Sequence, residues 1–254
     1  MPASARTITV GFLGVGSAIR TPYRKIGTLL DGRILVDAPP EAAYSLASIG
    51  SGPDDIDAVA VTHLHADHFF GLALLLTEFL AKARERPLQI LGPSGIERAS
   101  RGLLELAWPD VNTDVVLRAA LATFVEWIPW HAVAVDESLI TPIPVSHGPL
   151  QAFGLRIERG QHRVFHTGDT SLVPVVVDEV SAATLAVADV TSVAPRGNTH
   201  MSMEDLRVLR AAAPETPIMA VHRDFVGDQA DEFVLFPQDG ERFVHTPGEL
   251  PVVY

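Results

Sequence analysis

Short apolar runs recur along this chain, each closing on a polar residue and most followed by a segment with helical periodicity. Thr7 to Leu13 reads as a strand that runs into the glycine-rich turn GVGSA at 14–18. Ile34 to Val36 predicts a second strand ending at Asp37, and PPEAAYSLASIG at 39–50 predicts a helix with proline at its start and glycine at its end. The run DAVAVT at 57–62 predicts another strand. FFGLALLLTEFLAKARER at 69–86 then sets apolar residues at helical spacing, with basic residues in its last turn. Between these two lies HLHADH, which is therefore expected in a strand-to-helix loop.

The second half repeats the pattern. LQIL at 88–91 predicts a strand and GIERASRGLLELAW at 95–108 a helix, while VAVDESLITPIPVSH at 133–147 predicts a strand region ending at His147. FGLRIER at 153–159 and RVFHTGD at 163–169 follow as strands, the latter ending at Asp169. TLAVADVT is a further strand, SMEDLRVLRAAA a helix with Ser202 as cap and Asp205 in the capping-box position, and PIMAVH a strand ending at His222. Strands and helices alternate through both halves with no linker between them, which implies α/β layering in a single domain spanning 1–254.

The strand ends carry the chemistry. His63, His65, Asp67, His68, His147, Asp169 and His222 all sit at such ends or just beyond, where an α/β sheet gathers side chains from distant sequence. Three imidazoles and a carboxylate within six positions are costly to desolvate without a cation. The chain has no cysteine, so any metal must be held by nitrogen and oxygen. Seven such groups exceed one tetrahedral zinc, and two ions are the economical reading. In contrast, the GVGSA turn places Ile19 where a dinucleotide-binding fingerprint needs its third glycine, which argues against nucleotide binding there.

THLHADH, PVSHG, TGDT and VHR resemble the successive motifs of the metallo-β-lactamase superfamily. FLGVGSA, LVDA and THMS resemble its ribonuclease Z-like and small-phosphodiesterase branch. The resemblance implies a four-layer αβ/βα sandwich with the site at one edge. It also implies that His63, His65 and His147 hold a first divalent ion, that Asp67, His68 and His222 hold a second, and that Asp169 bridges them. Zinc is the first choice, with manganese and iron(II) compatible. Two such ions would polarise a bridging water, moving its pKa from about 16 toward about 7, and so supply a hydroxide for hydrolysis. Asp67 could orient that hydroxide, and His200 stands where this branch has a histidine that assists the phosphate or leaving group, although Thr199 departs from the usual glycine or serine before it. Histidine at 65, where the flavodiiron relatives typically have glutamate, favours hydrolysis over oxygen chemistry.

Other residues are given supporting or structural parts. Asp37 is expected to steady the metal ligands through a hydrogen bond. His166, at odd separation from Asp169 on one strand, should face the other way. His131, His162 and His245 fit no motif and are assigned to structure or surface. FVEWIPW at 124–130 could line a substrate pocket, make a subunit contact in a homodimer, or pack in the core. Arg24 and Lys25 could meet an anionic substrate or remain loop charges, and Lys82 to Arg86 reads as solvated surface.

Charge narrows the substrate. Nineteen basic residues against 31 acidic ones give a formal charge of −12, so a long polyanion meets net repulsion. Members of the ribonuclease Z type carry a long arm for tRNA between the positions of His147 and Asp169, and here the interval is too short for one. The expected substrate is therefore a small phosphodiester, cyclic or nucleotide-derived, and not tRNA. Lactone or thioester opening is the alternative, and a catalytically idle metal-binding carrier or regulatory protein the third reading. MPASARTITV lacks the apolar core of a signal peptide and the longest apolar stretch is interrupted by Glu78, so a cytoplasmic protein with no membrane association is expected.

Overall fold

The computed structural model describes residues 7–82, 84–227 and 231–254. In chain order the strands are β1 (Ile8–Gly14), β2 (Gly27–Leu30), β3 (Ile34–Val36), β4 (Ala58–Ala60), β5 (Leu88–Gly92), β6 (Ala122–Glu126), β7 (Val133–Val135), β8 (Ser138–Pro144), β9 (Phe153–Arg159), β10 (His162–His166), β11 (Leu185–Asp189), β12 (Ile218–Val221), β13 (Val234–Leu235), β14 (Arg242–His245) and β15 (Val252–Val253). They form two sheets, ordered β15-β14-β1-β2-β3-β4-β5-β6 and β13-β12-β11-β10-β9-β8-β7. The helices are α1 (Ala42–Ser48), α2 (Ala66–Phe69), α3 (Gly71–Thr77), α4 (Ile96–Ala107), α5 (Thr113–Ala119), α6 (Pro174–Ser181) and α7 (Met203–Ala212).

Three apolar cores separate these elements into four layers. Val36, Ala60, Leu91, Leu155, Val164, Val187 and Val221 fill the space between the sheets. Leu35, Val59 and Ile90 face the opposite way and pack with α1, α3, α4 and α5 through Leu46, Leu72, Leu75, Ile96, Leu104 and Leu117. Phe165, Ala186, Ala188 and Ala220 likewise face α6 and α7 through Val176, Val180, Leu206 and Leu209. Central strands buried on both faces need continuous apolar runs, which is why ILV, AVA and LAVA show no polar alternation. The architecture is the expected αβ/βα sandwich.

Strand direction then creates the working edge. β3, β4, β5 and β6 are mutually parallel, as are β10, β11, β12 and β13. β8 is antiparallel to β9 and β9 to β10, so β8 runs the same way as β10. The carboxyl ends of β3, β4, β8, β10, β11 and β12 consequently open on one side of the sandwich.

Local structure departs from the sequence reading in three places. Asp67 and His68 lie in the first turn of α2, with His65 at its N-cap, where a carboxylate meets the positive helix end; they are not in a loop. The helix predicted over 69–86 stops earlier: α3 gives way to a 3-10 turn at Glu78–Leu80, and Ala83 lies outside the described residues. Arg84 explains the stop, because its buried guanidinium donates to the carbonyls of Pro53 and Ile56, both at 2.6 Å, so it is an anchor and not solvated surface. The strand before His147 ends at Pro144, leaving that histidine in the loop beyond. Met1 to Arg6 of the N-terminal segment also lie outside the described residues. No helix among the described residues is long and apolar enough to cross a membrane.

Candidate metal centre

The seven residues singled out from sequence converge at that edge, although positions 63 and 222 are far apart in the chain. Nε2 of His63 lies 3.0 Å from Nδ1 of His65, and Nε2 of His147 lies 3.2 Å from the same atom. An ion bound at about 2.0–2.1 Å by imidazoles sets neighbouring ligand nitrogens roughly 3.3–3.4 Å apart in a tetrahedron. The two observed spacings fall roughly 0.1–0.4 Å short of that edge length. Beside this triad, Nε2 of His68 and Nε2 of His222 each lie 3.4 Å from Asp67 Oδ2.

Asp169 Oδ2 sits between the two groups. It is 3.2 Å from His68 Nε2 and 3.3 Å from His222 Nε2 on one side, and 3.7 Å from His63 Nε2 and 3.9 Å from His147 Nε2 on the other. Ligand-type atoms of His63, His65, His147 and Asp169 all lie within 4.8 Å of one another, and so do those of Asp67, His68 and His222.

The ring orientations are fixed from behind. Nδ1 of His68 donates to Asp37 Oδ2 at 2.7 Å, as the sequence expectation for Asp37 required. Thr62 gives its hydroxyl proton to Asp37, so its oxygen can only accept from His63 Nδ1 at 3.1 Å. Thr191 likewise donates to Asp189 and accepts from His222 Nδ1 at 2.7 Å. Nδ1 of His147 donates to the Thr199 carbonyl at 2.8 Å. Four imidazoles therefore carry their proton on Nδ1 and turn the Nε2 lone pair toward the cluster. His65 is exposed and presents Nδ1 instead.

The residues fit divalent cations. Nε2 of His68 is buried with no hydrogen-bond partner among the described residues, yet it faces two carboxylate oxygens. Without cations, protons have to serve as the positive charge. Burial opposes the charged form of His222, but Asp169 and the hydrogen bonds to Asp189 and Asp67 outweigh it and push the pKa up to about 10. The same contest, with Asp169 and Asp37 as partners, raises His68 well above its ordinary value. Asp67 and Asp169 are held far below the carboxylate range despite burial, Asp67 by the close approach of the His222 and His68 rings and Asp169 by the His222 and His68 charges. Burial, reinforced by the His68 charge, instead drives His63 down to about 2, so its ring stays neutral and available as a donor. Metal binding would release the shared protons.

His200 joins the cluster, its ring stacked on His222 at 5.0 Å between centroids and 17° between planes. Its Nδ1 donates to Asp189 Oδ2 at 2.9 Å, and that hydrogen bond raises its pKa against the opposing effect of burial. Asp189 was not singled out from sequence. It is buried, accepts from Thr170 N, Thr191 Oγ1 and His200 Nδ1, and faces His222 Nδ1 at 3.5 Å. Its signal was present: an aspartate closing the apolar strand LAVAD, placed like Asp37 after β3.

Other candidates fall elsewhere. His166 points between the sheets, with Nε2 3.3 Å from Thr28 Oγ1. His162 and His245 are buried as a pair, with ring centroids 5.9 Å apart, and His131 is exposed. Arg24 is directed to Ser48 Oγ at 3.2 Å and Asp239 Oδ2 at 3.7 Å. The aromatic segment divides. Trp127 is a core residue whose Nε1 donates to the Val61 carbonyl at 2.8 Å, bracing the strand that leads to His63, whereas Trp130 is exposed.

Comparison with known proteins bears on the family and the fold. The family model described as "Beta-lactamase superfamily domain" matches residues 32–222. Ribonuclease Z of Clostridium novyi (strain NT) is 37% identical over 100 residues, covering 38% of this chain and 32% of the clostridial protein. The matched stretch is thus about a third of that relative's length. Among solved structures, the metallo-β-lactamase fold protein YhfI from Bacillus subtilis superposes with a TM-score of 0.76 at 18% identity, covering 94% of this chain and 100% of that one. A diphosphatase from the PhnP family gives a TM-score of 0.71 at 17% identity, covering 92% and 96%.

Proposed function

Because this chain belongs to the beta-lactamase superfamily, we propose that it is a metal-dependent hydrolase using two divalent ions to cleave a small phosphodiester, cyclic or nucleotide-derived. The observation that carries this reading is the placement of Asp169 Oδ2 between two groups of ligand-type atoms, those of His63, His65 and His147 and those of Asp67, His68 and His222, the atoms of each group lying within 4.8 Å of one another. On this reading His63, His65 and His147 would hold one ion and Asp67, His68 and His222 the other, with Asp169 available to both. Imidazole and carboxylate donors without thiolate suit zinc and also accept manganese or iron(II). Bound there, such ions supply positive charge against a phosphate oxygen and lower the pKa of a coordinated water toward about 7.

The chain's own side chains do the remaining work. Thr62, Asp37, Thr191 and the Thr199 carbonyl hold the rings in register, so no reorganisation is needed when substrate arrives. Asp67 is buried at the floor of the cluster and can accept a hydrogen bond that orients a water. His200 is partly exposed, and with Nδ1 committed to Asp189, which raises its pKa above the ordinary value, its Nε2 is placed to deliver a proton to a leaving-group oxygen.

Substrate size is inferred from what lies beside the site. The residues between His147 and Asp169 are spent on a short loop and the β9–β10 hairpin, and the chain carries a formal charge of −12. The resemblance to ribonuclease Z makes tRNA the competing substrate. Zinc- and manganese-loaded protein should be assayed on bis-p-nitrophenyl phosphate, a cyclic nucleotide, a precursor tRNA, a lactone and a thioester. Turnover of the small phosphodiesters with little on the other three supports the proposal. Preferential cleavage of the tRNA or rapid lactone opening with inert phosphodiesters would replace it, and a fully loaded but inactive protein would favour the carrier reading.

A further inference from the structure

The sequence VHR at 221–223 contributes His222 to the cluster, and the next residue is the largest fully buried side chain in the fold. His222 adopts φ +57, a left-handed conformation that persists in a non-glycine residue only where its surroundings over-determine it. Arg223 supplies those surroundings. Its amide donates to the Val15 carbonyl at 2.9 Å, and its own carbonyl accepts from Ser17 N at 3.2 Å and from Thr21 Oγ1 at 2.6 Å.

The guanidinium is clamped as well. Its central carbon lies 4.7 Å from the Tyr23 ring centroid and 5.4 Å from that of Phe236, and Nη2 donates to the Pro237 carbonyl. Its Nε and Nη1 are buried without a hydrogen-bond partner among the described residues, so the two aromatic faces, the Pro237 carbonyl and the more distant charges of Asp239 and Glu241 offset only part of the cost of its burial. The segments that form the clamp are themselves tightly closed. A Cβ on Gly16 would fall 2.5 Å from Thr21 Oγ1, and one on Gly227 would fall 2.1 Å from the Phe236 ring. The GVGSA turn thus has a use in letting residues 14–25 fold back against Arg223.

We propose that Arg223 is a positioning residue: its guanidinium, held between the Tyr23 and Phe236 rings, fixes the left-handed backbone of His222 and so sets His222 Nε2 opposite Asp67 and His68. The proposal rests on the two-ion reading and makes an asymmetric claim about it. The clamp adjoins His222, whereas His63, His65 and His147 follow β4 and β8. Loosening the clamp should therefore weaken one ion and spare the other. Lysine cannot substitute, because its ammonium lacks the planar face that stacks between two rings.

The test counts and ranks the ions. Purified protein is loaded with zinc, its metal content measured by atomic emission, and the affinity of each equivalent determined by chelator competition, with circular dichroism as the check on folding. Wild type should hold two equivalents. Arg223→Lys and Arg223→Met, once shown to be folded, should keep one equivalent within about threefold of wild type and bind the other at least tenfold more weakly. If neither variant folds, Tyr23→Leu, which removes one stacking face and leaves the guanidinium, is expected to give the same asymmetric loss. A folded variant with both affinities unchanged overturns the proposal, and so does an equal weakening of both, which would mark Arg223 as a general support of the fold. Wild-type protein holding fewer than two equivalents overturns the two-ion reading itself, before any variant is compared.

Discussion

Four imidazoles of the cluster owe their direction to an oxygen on the side facing away from it, and Asp37 serves two of them at once. Its Oδ2 accepts from His68 Nδ1, and both of its oxygens accept from the Thr62 hydroxyl that in turn receives His63 Nδ1. Asp37→Asn isolates the charge, because asparagine tolerates the left-handed φ of +62 found at this position. Zinc affinity should fall about 10–100-fold, measured by chelator competition, with the fold intact by circular dichroism. His200 stacks on His222 and donates to Asp189. If it donates a proton to the departing oxygen, His200→Gln should cut kcat by roughly 10²–10⁴ for a substrate whose leaving group is an alcohol. The loss should be much smaller for bis-p-nitrophenyl phosphate, since p-nitrophenolate leaves without a proton. Equal losses on both substrates would assign His200 to holding His222 in place.

At the scale of elements, the helix that carries Asp67 and His68 runs into one seated by close backbone approach. Gly71 opens α3 directly after the short helix bearing Asp67 and His68, its amide donating to the Ala38 carbonyl, and a Cβ there would lie 1.8 Å from the Pro39 carbonyl oxygen. Gly71→Ala must displace α3 or the loop after Asp37. It should cost about 3 kcal/mol in urea denaturation, and it should also lower metal affinity because one segment directly follows the helix bearing Asp67 and His68 and the other directly follows Asp37. This contact links parts of the fold that differ in legibility. The runs ILV, AVA and LAVAD were readable because central strands of a sandwich are apolar on both faces. The ligands at their ends were readable because imidazoles and carboxylates stand out against such runs. Asp189 was passed over because it ends its strand without a neighbouring histidine, its partners His200 and His222 lying 11 and 33 residues on. Arg84 was misread because nothing local reveals that carbonyls of Pro53 and Ile56 await it. The break in the helix after Thr77 has the same origin, a tertiary hydrogen bond that overrides good helical periodicity.

For the whole molecule, what has to survive is the packing of one sheet on the other, and two histidine contacts cross that interface. His166 of β10 reaches Thr28 of β2, and His162 of β10 meets His245 of β14. The Nδ1 of His166 accepts from Gly168 N at 3.1 Å, so Nε2–H is left to donate to Thr28 and the ring is neutral. Burial pushes His166 down to about 4; it pushes His245 to the same level, with help from the His162 charge. Both values lie below the ordinary 6.5, so the unfolded chain takes up protons first as the solution is acidified. Their stabilising contribution is complete above about pH 6.5 and is lost progressively as the pH falls through about 4. For His166 the loss is on the order of 3 kcal/mol. His166→Gln can keep the hydrogen bond to Thr28 while abolishing the titration, so its stability should decline less steeply between pH 6.5 and 4 than that of wild type. Urea denaturation at several pH values, with zinc removed from both proteins so that ligand protonation is common to them, measures the two slopes. Parallel slopes would place the acid sensitivity in the cluster at the sheet edge and not in the contacts that join the sheets.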